Sequence, residues 1–395
     1  ISVAKLQASW CVFLFYLARA TVTRRSALVL VALLIVSGSA GALYSAFDLL
    51  RGRGVVVESI AAGSAFNQIG IRPGDTIWQI DRRRVYSTTD VDQILAQTAP
   101  NTPLTAGIIT QGEQVERAFT LAQPSASGII GTQHNHRFRA SGWTRHYGTF
   151  AELMQMIAQL ALGLALAHLR NHGPNKIFRI AIVATALLTA GLVFTAMRTV
   201  IVAFVIGASV IALRSLRATM KVVFTFALFA VLAFAAVVVW QTRDPKALLL
   251  GDPSSLLRLK VAGVGLSRIL IHPVFGHGMD AMQLHWNEWG FPGKDMLHLH
   301  STPLQLAFDR GLPMLVLWLW MMLLFWLTIA RAERRAADLS DTNHYGILLG
   351  TLGALTGFLM SSLVNYNYGD AEVAMMFWFL MGMALSTDYA DSSSA

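Results

Sequence analysis

The sequence predicts a polytopic α-helical membrane protein with about nine spans and one small β-rich extracytoplasmic insertion. Of 395 residues, 54% are hydrophobic and only 13% are charged, so the chain cannot cover a soluble globule with polar surface. Apolar runs of bilayer-spanning length recur along it. Arg and Lys fall in short clusters beside these runs, so the net charge of +9 reflects membrane orientation and not a nucleic-acid partner.

The apolar runs place the predicted spans. They lie at about residues 8–22, 27–49, 150–169, 178–196, 200–213, 222–240, 312–330, 345–363 and 373–387. Alternate connecting loops are short and basic, as at Arg24 and Arg214, and such loops face the cytoplasm. The other side then receives residues 51–147, 197–199, 241–301 and 365–372.

Three parts of the chain are expected. Residues 1–50 hold two spans, and because the sequence begins at Ile1 and not at Met, an N-terminal portion is expected to be missing. Residues 51–124 form the insertion, and residues 125–395 form the second membrane part. A polar loop at 241–311 is rich in His and Gly, yet has too many large apolar residues to be disordered. This loop is therefore the predicted site of activity.

The insertion has the pattern of a small β domain. Residues 54–60 (GVVVESI) are a β-branched strand signal, 90–95 predict a short helix, and 104–110 and 115–121 predict closing strands. Between them stand Gly63-Ser64, Gly70-Ile71, Gly74-Asp75 and Ile77. This spacing resembles a PDZ domain of the bacterial type. The resemblance implies that an extended peptide adds as a strand at Gly54, Val55, Val56 and Val57. A purely structural role is the alternative.

His300 is the strongest candidate for a general base. It precedes Ser301, Thr302 and Pro303, and Ser or Thr followed by Pro is typical of a helix start. A helix N-terminus keeps a nearby imidazole neutral, and a general base must be neutral to accept a proton. His298 can point the same way if the backbone is extended. The alternative is a His that only caps or packs at this junction.

No metal or other cofactor is predicted. His272, His277 and His285 accompany the His298–His300 pair, but few carboxylates and no Cys stand near them. Their spacing matches no known zinc pattern.

Three arginines predict an anion site. Arg198 lies in a turn between two apolar runs, where a charge is costly unless it pairs or faces water. Arg258 lies in a segment of helical apolar spacing, and Arg139 precedes the third span. A guanidinium binds phosphate in a bidentate way that Lys cannot. The alternatives are an interface anchor for Arg198 and a solvated helix face for Arg258.

A polar stripe runs along the third span. Glu152, Gln155 and Gln159 recur at helical spacing, so they face one side of the helix. They are predicted either to line a substrate cavity or to form hydrogen bonds between helices.

The polar loop and the arginines together carry a second resemblance. The motifs are His272-Pro273-Val274-Phe275-Gly276-His277-Gly278, then His300-Ser301-Thr302-Pro303-Leu304-Gln305-Leu306, then Asp309-Arg310-Gly311-Leu312. Their order and predicted membrane side resemble the O-antigen ligase and polymerase (Wzy-type) family. Arg198 and Arg258 match two arginines of that family's pattern. Arg139-Ala140-Ser141-Gly142 matches its R-x-S-G stretch. The chain departs from the family pattern at Ser301, where Asn is usual, and at Asp309, where Glu is usual.

The resemblance implies a metal-independent glycosyltransferase in the bacterial inner membrane. It implies transfer of a glycan from undecaprenyl pyrophosphate to an acceptor glycan, lipid or protein hydroxyl on the periplasmic face. The catalytic residues would be His300, Arg198 and Arg258. The substrate-binding residues would be Arg139, Glu152, Gln155, His298, Asp309 and Arg310. A non-enzymatic membrane transporter or scaffold, with the PDZ-like domain recruiting a partner, is the alternative.

Overall fold

Fourteen α-helices form most of the described chain. The computed structural model describes residues 4–81, 83–110, 113–121, 127–136, 138–242, 253–293, 296, 298–337 and 341–392. In chain order the helices are α1 (Ala4–Thr21), α2 (Arg24–Arg51), α3 (Ala65–Gln68), α4 (Thr88–Ala96), α5 (Tyr147–His172), α6 (Lys176–Phe194), α7 (Arg198–Ser215), α8 (Ala218–Thr242), α9 (Pro253–Ile271), α10 (Ala281–Leu284), α11 (Thr302–Arg310), α12 (Leu312–Ala337), α13 (Thr342–Ser362) and α14 (Ala371–Ser392). Part of the predicted polar loop, residues 243–252, lies outside the described residues.

Every predicted span coincides with a long helix. Among the described residues, seven helices are long and apolar enough to cross a membrane, namely α2, α5, α6, α7, α8, α12 and α13. The apolar stretches of α1 and α14, Trp10–Thr21 and Ala371–Ser386, are shorter. The protein is therefore a polytopic helical membrane protein, and a total of nine spans stays a prediction. Several helices run past the apolar runs, because backbone hydrogen bonding continues into polar flanks such as the end of α12.

The chain divides into two compact units. The first comprises Ile1–Leu43, Ser141–Ala236 and Leu249–Ala395, and the second comprises Tyr44–Ala140 and Val237–Leu248. In the first unit α5 is the central helix, and 94% of its 18-residue apolar stretch is buried. A Cβ at Gly163 of α5 would collide with the backbone of Gly346 and Gly350 of α13. Small residues at this crossing allow the close helix approach that is typical of membrane bundles.

The loops predicted to be cytoplasmic meet at one end of this bundle. Arg214, near the end of α7, forms an ion pair with Glu333 near the end of α12. Arg170 of α5 donates a hydrogen bond to the hydroxyl of Tyr345 at the start of α13 (2.9 Å). The turns at the other ends of these helices come together separately, at the site described below.

The second unit is built on an antiparallel sheet. Its strands are β1 (Val55–Val56), β2 (Ser59–Ile60), β3 (Thr76–Ile80), β4 (Arg83–Arg84), β5 (Pro103–Thr110), β6 (Glu113–Thr120) and β7 (Ile129–Ile130). The order in the main sheet is β1-β3-β5-β6, with β4 also paired to β3, and β2 pairs with β7. The predicted helix is α4, and Ser87 caps its start. The predicted closing strands are β5 and β6, whose connecting residues 111–112 lie outside the described residues.

The predicted single strand at 54–60 is divided in two. Val55 and Val56 pair with β3, and the N–H of Val57 donates to the carbonyl of Asp75 (2.8 Å). The following residues, Ser59 and Ile60, pair instead with β7. One strand signal therefore serves two different partners, which a propensity for extended structure does not reveal.

The outer edge of this segment is paired with residues downstream of the predicted insertion. The N–H groups of Arg53, Val56, Glu58 and Ala61 donate to the carbonyl groups of Asn135, Gln133, Ile130 and Gly128, all at 2.8 Å. The compact unit consequently extends beyond residue 124. Residues 127–136, which carry this pairing, are called the strap below.

This pairing lies at the predicted peptide site. An external strand was expected at Gly54, Val55, Val56 and Val57, but the described edge of that segment already forms backbone hydrogen bonds with the strap. The carbonyl of Gly54 is likewise bonded to the ring of His134 (3.0 Å). An added strand needs unpaired N–H and C=O groups. In this structure the strap is hydrogen bonded to these groups.

Candidate active site

Two motifs that are far apart in the sequence form one backbone interface. The N–H of His277 donates to the carbonyl of Phe308 at the end of α11 (2.8 Å), and the N–H of Leu312 donates to Pro273 (2.7 Å). Gly276 and Gly311 have φ values of +67° and +85°. A Cβ at either glycine would collide with the backbone of the opposite motif. Both positions therefore require glycine, for conformation and for close approach.

His300 lies in the turn that leads into α11. Its φ is +53°, a left-handed conformation that costs a non-glycine residue about 1–3 kcal/mol. Ser301 caps the helix and accepts a hydrogen bond from the N–H of Leu304 (3.4 Å). The side-chain carbonyl of Gln305 holds the preceding turn by accepting from the N–H of Leu299 (2.7 Å). The helix start is where the sequence predicts it, and a strained backbone presents the imidazole there.

Two histidine rings lie together within electrostatic range of an arginine. The ring centroids of His298 and His300 are 4.5 Å apart. Burial, with the charges of His298 and Arg258, lowers the pKa of His300 from 6.5 to about 3. Burial, with the charges of Arg258 and His146, lowers the pKa of His298 to about 4. Both rings are therefore neutral near pH 7, and Arg258 of α9 acts on both.

An acidic and a phenolic group lie near the other end of α11. Burial raises the pKa of Asp309 to about 6, although a hydrogen bond from Gln305 (2.9 Å) and the charge of Arg310 oppose the shift. Burial, with the charge of Asp309, raises the pKa of Tyr366 to about 12. The Tyr366 ring also lies 5.2 Å from that of His298. Tyr366 therefore lies between the histidine pair and the carboxyl group.

A buried polar network joins the start of α11 to the start of α7. Asn365 is its centre, since its side-chain amide donates to the hydroxyl of Thr199 (3.1 Å) and its carbonyl accepts from the N–H of Thr302 (3.1 Å). Thr199 follows Arg198, and Thr302 is two residues after His300. Three segments predicted to lie on one membrane face thus meet at Asn365.

Glu152 of α5 belongs to this network. One of its carboxylate oxygens accepts from the hydroxyl of Ser361 (2.8 Å), and the other accepts from the amide of Asn365 (3.4 Å). The Ser361 hydroxyl in turn accepts from the side chain of Asn367 (2.8 Å). Glu152 is 3% exposed, so from inside the bundle its carboxylate holds the end of α13 and Asn365, which in turn bonds to Thr199 and Thr302. Direct contact between Glu152 and substrate stays a prediction.

The remaining stripe residues also face the bundle interior. Gln155 and Gln159 are fully buried and hydrogen bonded to each other, and Gln159 donates to the carbonyl of Phe204 (3.2 Å). Gln155 was predicted to bind substrate, and here its amide bonds to Gln159 inside the packed bundle. The alternative of interhelical hydrogen bonding describes Gln159, which bonds to α7, whereas the bond of Gln155 lies within α5.

The predicted arginines differ in their placement. Arg198 is the first residue of α7 and is half-buried, and Arg258 is half-buried on α9. Arg310 is exposed at the end of α11. Arg139 is buried and belongs to the second compact unit. The site described here therefore draws on Arg198, Arg258 and Arg310, all from the first unit.

Several residues of the site were missed from the sequence. They are His146, Thr302, Asn365, Asn367 and Tyr366. The sequence contains a signal for most of them: residues 365–370 (NYNYGD) are a polar turn between two apolar runs, predicted on the same membrane face as His300. Such a turn is shorter than the polar loop, and its asparagines resemble ordinary turn residues.

The described part of the site shows no metal-binding arrangement. Among the residues that the structure describes, no group of three His, Cys, Asp or Glu side chains is placed to hold an ion.

Comparison with known families agrees with the motifs. Residues 183–319 match the model described as O-Antigen ligase, and residues 56–105 match the model described as PDZ domain. The chain carries an O-antigen ligase region and a PDZ region. Both resemblances predicted from the sequence are confirmed. The ligase match contains Arg198, Arg258 and His300, and it ends before Asn365 and Tyr366. No curated protein matches the chain.

The O-antigen ligase region indicates the general activity. It supports a glycosyltransferase-like role in the membrane, and this family implies a lipid-linked glycan substrate and an acceptor. The identity of the donor and the roles of individual residues go beyond this match.

Proposed function

We propose that this protein transfers a glycan from undecaprenyl pyrophosphate to an acceptor hydroxyl on the periplasmic face of the bacterial inner membrane. The observation that carries the proposal is a neutral imidazole, His300, within electrostatic range of Arg258 and tied through Asn365 to the helix that begins with Arg198. A base next to phosphate-binding groups is what a displacement at a glycosyl pyrophosphate requires.

The reaction follows from these roles. The acceptor oxygen attacks the anomeric carbon, and its proton passes to a ring nitrogen of His300. The bond between the anomeric carbon and the pyrophosphate oxygen breaks, and the electron pair leaves with undecaprenyl pyrophosphate. The guanidinium groups of Arg198 and Arg258 stabilise the charge that develops on this leaving group. Arg139 remains a proposed further phosphate ligand.

Donor binding would also activate the base. Without donor, the positive charge of Arg258 contributes to the low pKa of His300. A bound pyrophosphate carries negative charge and opposes this effect, so it raises the pKa of His300 towards the pH at which the enzyme works. His300 is then a better proton acceptor when the donor is in place.

The acceptor is proposed to bind between the histidine pair and the end of α11. His298 and Tyr366 offer an aromatic and polar edge there, with ring centroids 5.2 Å apart. Asp309 and Arg310 provide polar groups that can bind sugar hydroxyls.

The test is glycan transfer by the purified protein in lipid vesicles, with a synthetic undecaprenyl-pyrophosphate glycan. His300→Asn removes the base and suits the backbone, because Asn tolerates positive φ better than most residues. We expect transfer to fall by at least about 10²-fold, whereas His285→Asn should retain it, since His285 is exposed and paired with Glu288.

Full transfer by a folded His300→Asn protein would remove His300 from the mechanism. Absence of transfer by the wild-type protein in the same vesicles would instead favour the alternative of a transporter or scaffold, for which no base is needed.

A further inference from the structure

The strap occupies the position of a PDZ ligand. On one side it pairs with the strand edge, and on the other its Ser127 N–H donates to the carboxylate of Asp92 on α4 (2.7 Å). The side chain of Ile129 is buried in the same hydrophobic core as Val91 and Leu95 of α4. PDZ domains bind an extended peptide by strand addition, with pockets for alternate side chains. The strap meets each of these conditions from within the same chain.

The strap sequence fits this position closely. A Cβ at Gly131 would collide with the carbonyl of Val56, and Gly128 has a φ of +66°. Adjacent isoleucines alternate as in a strand, since Ile129 is 8% exposed and Ile130 is 62% exposed. One side of the strap therefore packs into the groove, and the other side faces solvent.

The far end of the strap covers residues 51–54, the loop whose backbone amides would bind a peptide carboxylate in a PDZ domain. The ring of His134 is bonded to the carbonyl of Gly54 (3.0 Å), and that of His136 to the carbonyl of Leu49 (3.0 Å). The amide of Asn135 donates to the hydroxyl of Thr76 (3.0 Å). The chain does not end here, so backbone and histidine groups replace a terminal carboxylate.

The chain remains packed on the domain after the strap. Phe138 is buried with Trp78 and Ile109, and the guanidinium of Arg53 lies 4.3 Å from its ring. The next residue, Arg139, begins the R-x-S-G stretch.

We propose that the PDZ region is self-liganded: its ligand is the chain's own strap, and the occupied groove is the working state. The domain's role is then to hold the segment that leads into Arg139, and not to recruit a peptide from another protein.

The first experiment compares two neighbouring substitutions in the full-length protein in lipid nanodiscs. Ile129→Asp places a charge in the groove, whereas Ile130→Asp changes the exposed face of the same strand. Hydrogen exchange of residues 128–135 should accelerate by about 30-fold or more in Ile129→Asp and remain near the wild-type rate in Ile130→Asp. Rapid exchange of these amides in the wild-type protein would overturn the proposal.

A labelled peptide with the strap sequence SGIIGTQHN tests whether the groove is occupied. We expect saturable binding to Ile129→Asp, whose groove is released, and none to the wild type or to Ile130→Asp. Equally tight binding to all three proteins would show an open groove and contradict the proposal. Both measurements are independent of glycan transfer, so their failure is distinct from failure of the proposed function.

A cross-link tests the working state without weakening the fold. Ser59 and Ile130 are exposed and directly opposite each other, at a Cβ separation of about 4.5–5.5 Å for such pairs. In a Cys11→Ser background, Ser59→Cys with Ile130→Cys should form a disulfide on mild oxidation. The oxidised protein should transfer glycan at the rate of the reduced one. If oxidation abolishes transfer and reduction restores it, the strap must leave the groove for function, and the proposal fails. Failure to cross-link under conditions that oxidise a free thiol would also overturn it.

Discussion

Thr302 and Asn365 are bonded twice: the carbonyl oxygen of Asn365 accepts hydrogen bonds from both the N–H (3.1 Å) and the hydroxyl (3.2 Å) of Thr302. The same hydroxyl also lies 3.0 Å from the side-chain oxygen of Asn367. This pair ties the start of the helix behind His300 to the turn between α13 and α14. The position of the proposed base therefore depends on residues that follow the matched ligase region.

Thr302→Val should impair transfer through geometry. The substitution keeps the shape but removes the hydroxyl, and it leaves buried polar groups unsatisfied, at a cost of about 1–3 kcal/mol in unfolding free energy. We expect kcat to fall by about 10²-fold, since small misplacements of a catalytic group have such effects, with less change in donor affinity.

The matched control is Thr351→Val. Thr351, which lies in α13, is fully buried like Thr302, but its hydroxyl donates to the carbonyl of Ile347 in its own helix. Similar kcat values for the two variants would show that the loss reflects general destabilisation, and the positioning role of Thr302 would be wrong.

Arg258→Gln should change the pH profile of transfer. Protonated His300 cannot accept a proton, so activity falls as pH drops through its pKa. Burial and the charges of His298 and Arg258 hold this pKa at about 3, and removing the charge of Arg258 raises it. The acid limb of kcat/KM, which reports the free enzyme, should therefore move to higher pH.

Two variants separate charge from geometry at this position. Arg258→Lys keeps the charge, so it should leave the acid limb in place while weakening donor binding, because an ammonium cannot replace the bidentate guanidinium. Arg268→Gln, on the same helix, should leave the limb unchanged, since Arg268 lies over Trp289. An acid limb that stays fixed in Arg258→Gln would contradict the electrostatic link.

Gly276→Ala should destabilise the loop that carries the proposed base. The added methyl would meet the backbone of Asp309 and Arg310, and overpacking of this kind costs about 1–3 kcal/mol. Gly278→Ala is the control, because Gly278 also has a positive φ (+89°), but among the described atoms none lies within 4 Å of its Cβ position.

Thermal unfolding in detergent, followed by tryptophan fluorescence, compares the two alanine variants. Both variants place alanine at a positive φ. The difference between their unfolding midpoints therefore measures the collision of the Gly276→Ala methyl with the backbone of Asp309 and Arg310. Equal midpoints would show that the two motifs do not need their close approach.

The sequence predicts the helical part of the fold well because hydrophobicity and span length are local properties. All nine apolar runs are helical, and α11 starts at the predicted Ser301-Thr302-Pro303 helix start. The strand signal at 54–60 is less informative, because the choice between β3 and β7 as partner depends on long-range pairing. Residues 127–136 carry only a weak strand signal, so their return to the groove was not predicted.

The site was predicted only in part, because local sequence patterns identify some of its residues and long-range packing brings in the others. His300 and His298 stand in a distinctive local pattern, and the structure brings them together within electrostatic range of Arg258. Asn365 and Tyr366 come from a short turn more than 60 residues later, and their proximity is a property of the packed bundle. Gln155 shows the converse, because helical spacing identifies the face of a helix without saying whether that face meets solvent or another helix.

The connection between α11 and α12 is a single residue long. Gly311 alone separates the helix that starts behind His300 from the span that begins at Leu312. A residue spans at most about 3.3–3.6 Å of extended chain, so one residue added or removed at this joint would displace α11 against its neighbours by up to a comparable distance. Surface loops commonly tolerate changes in length, but this junction fixes the distance between the imidazole of the proposed base and the membrane span.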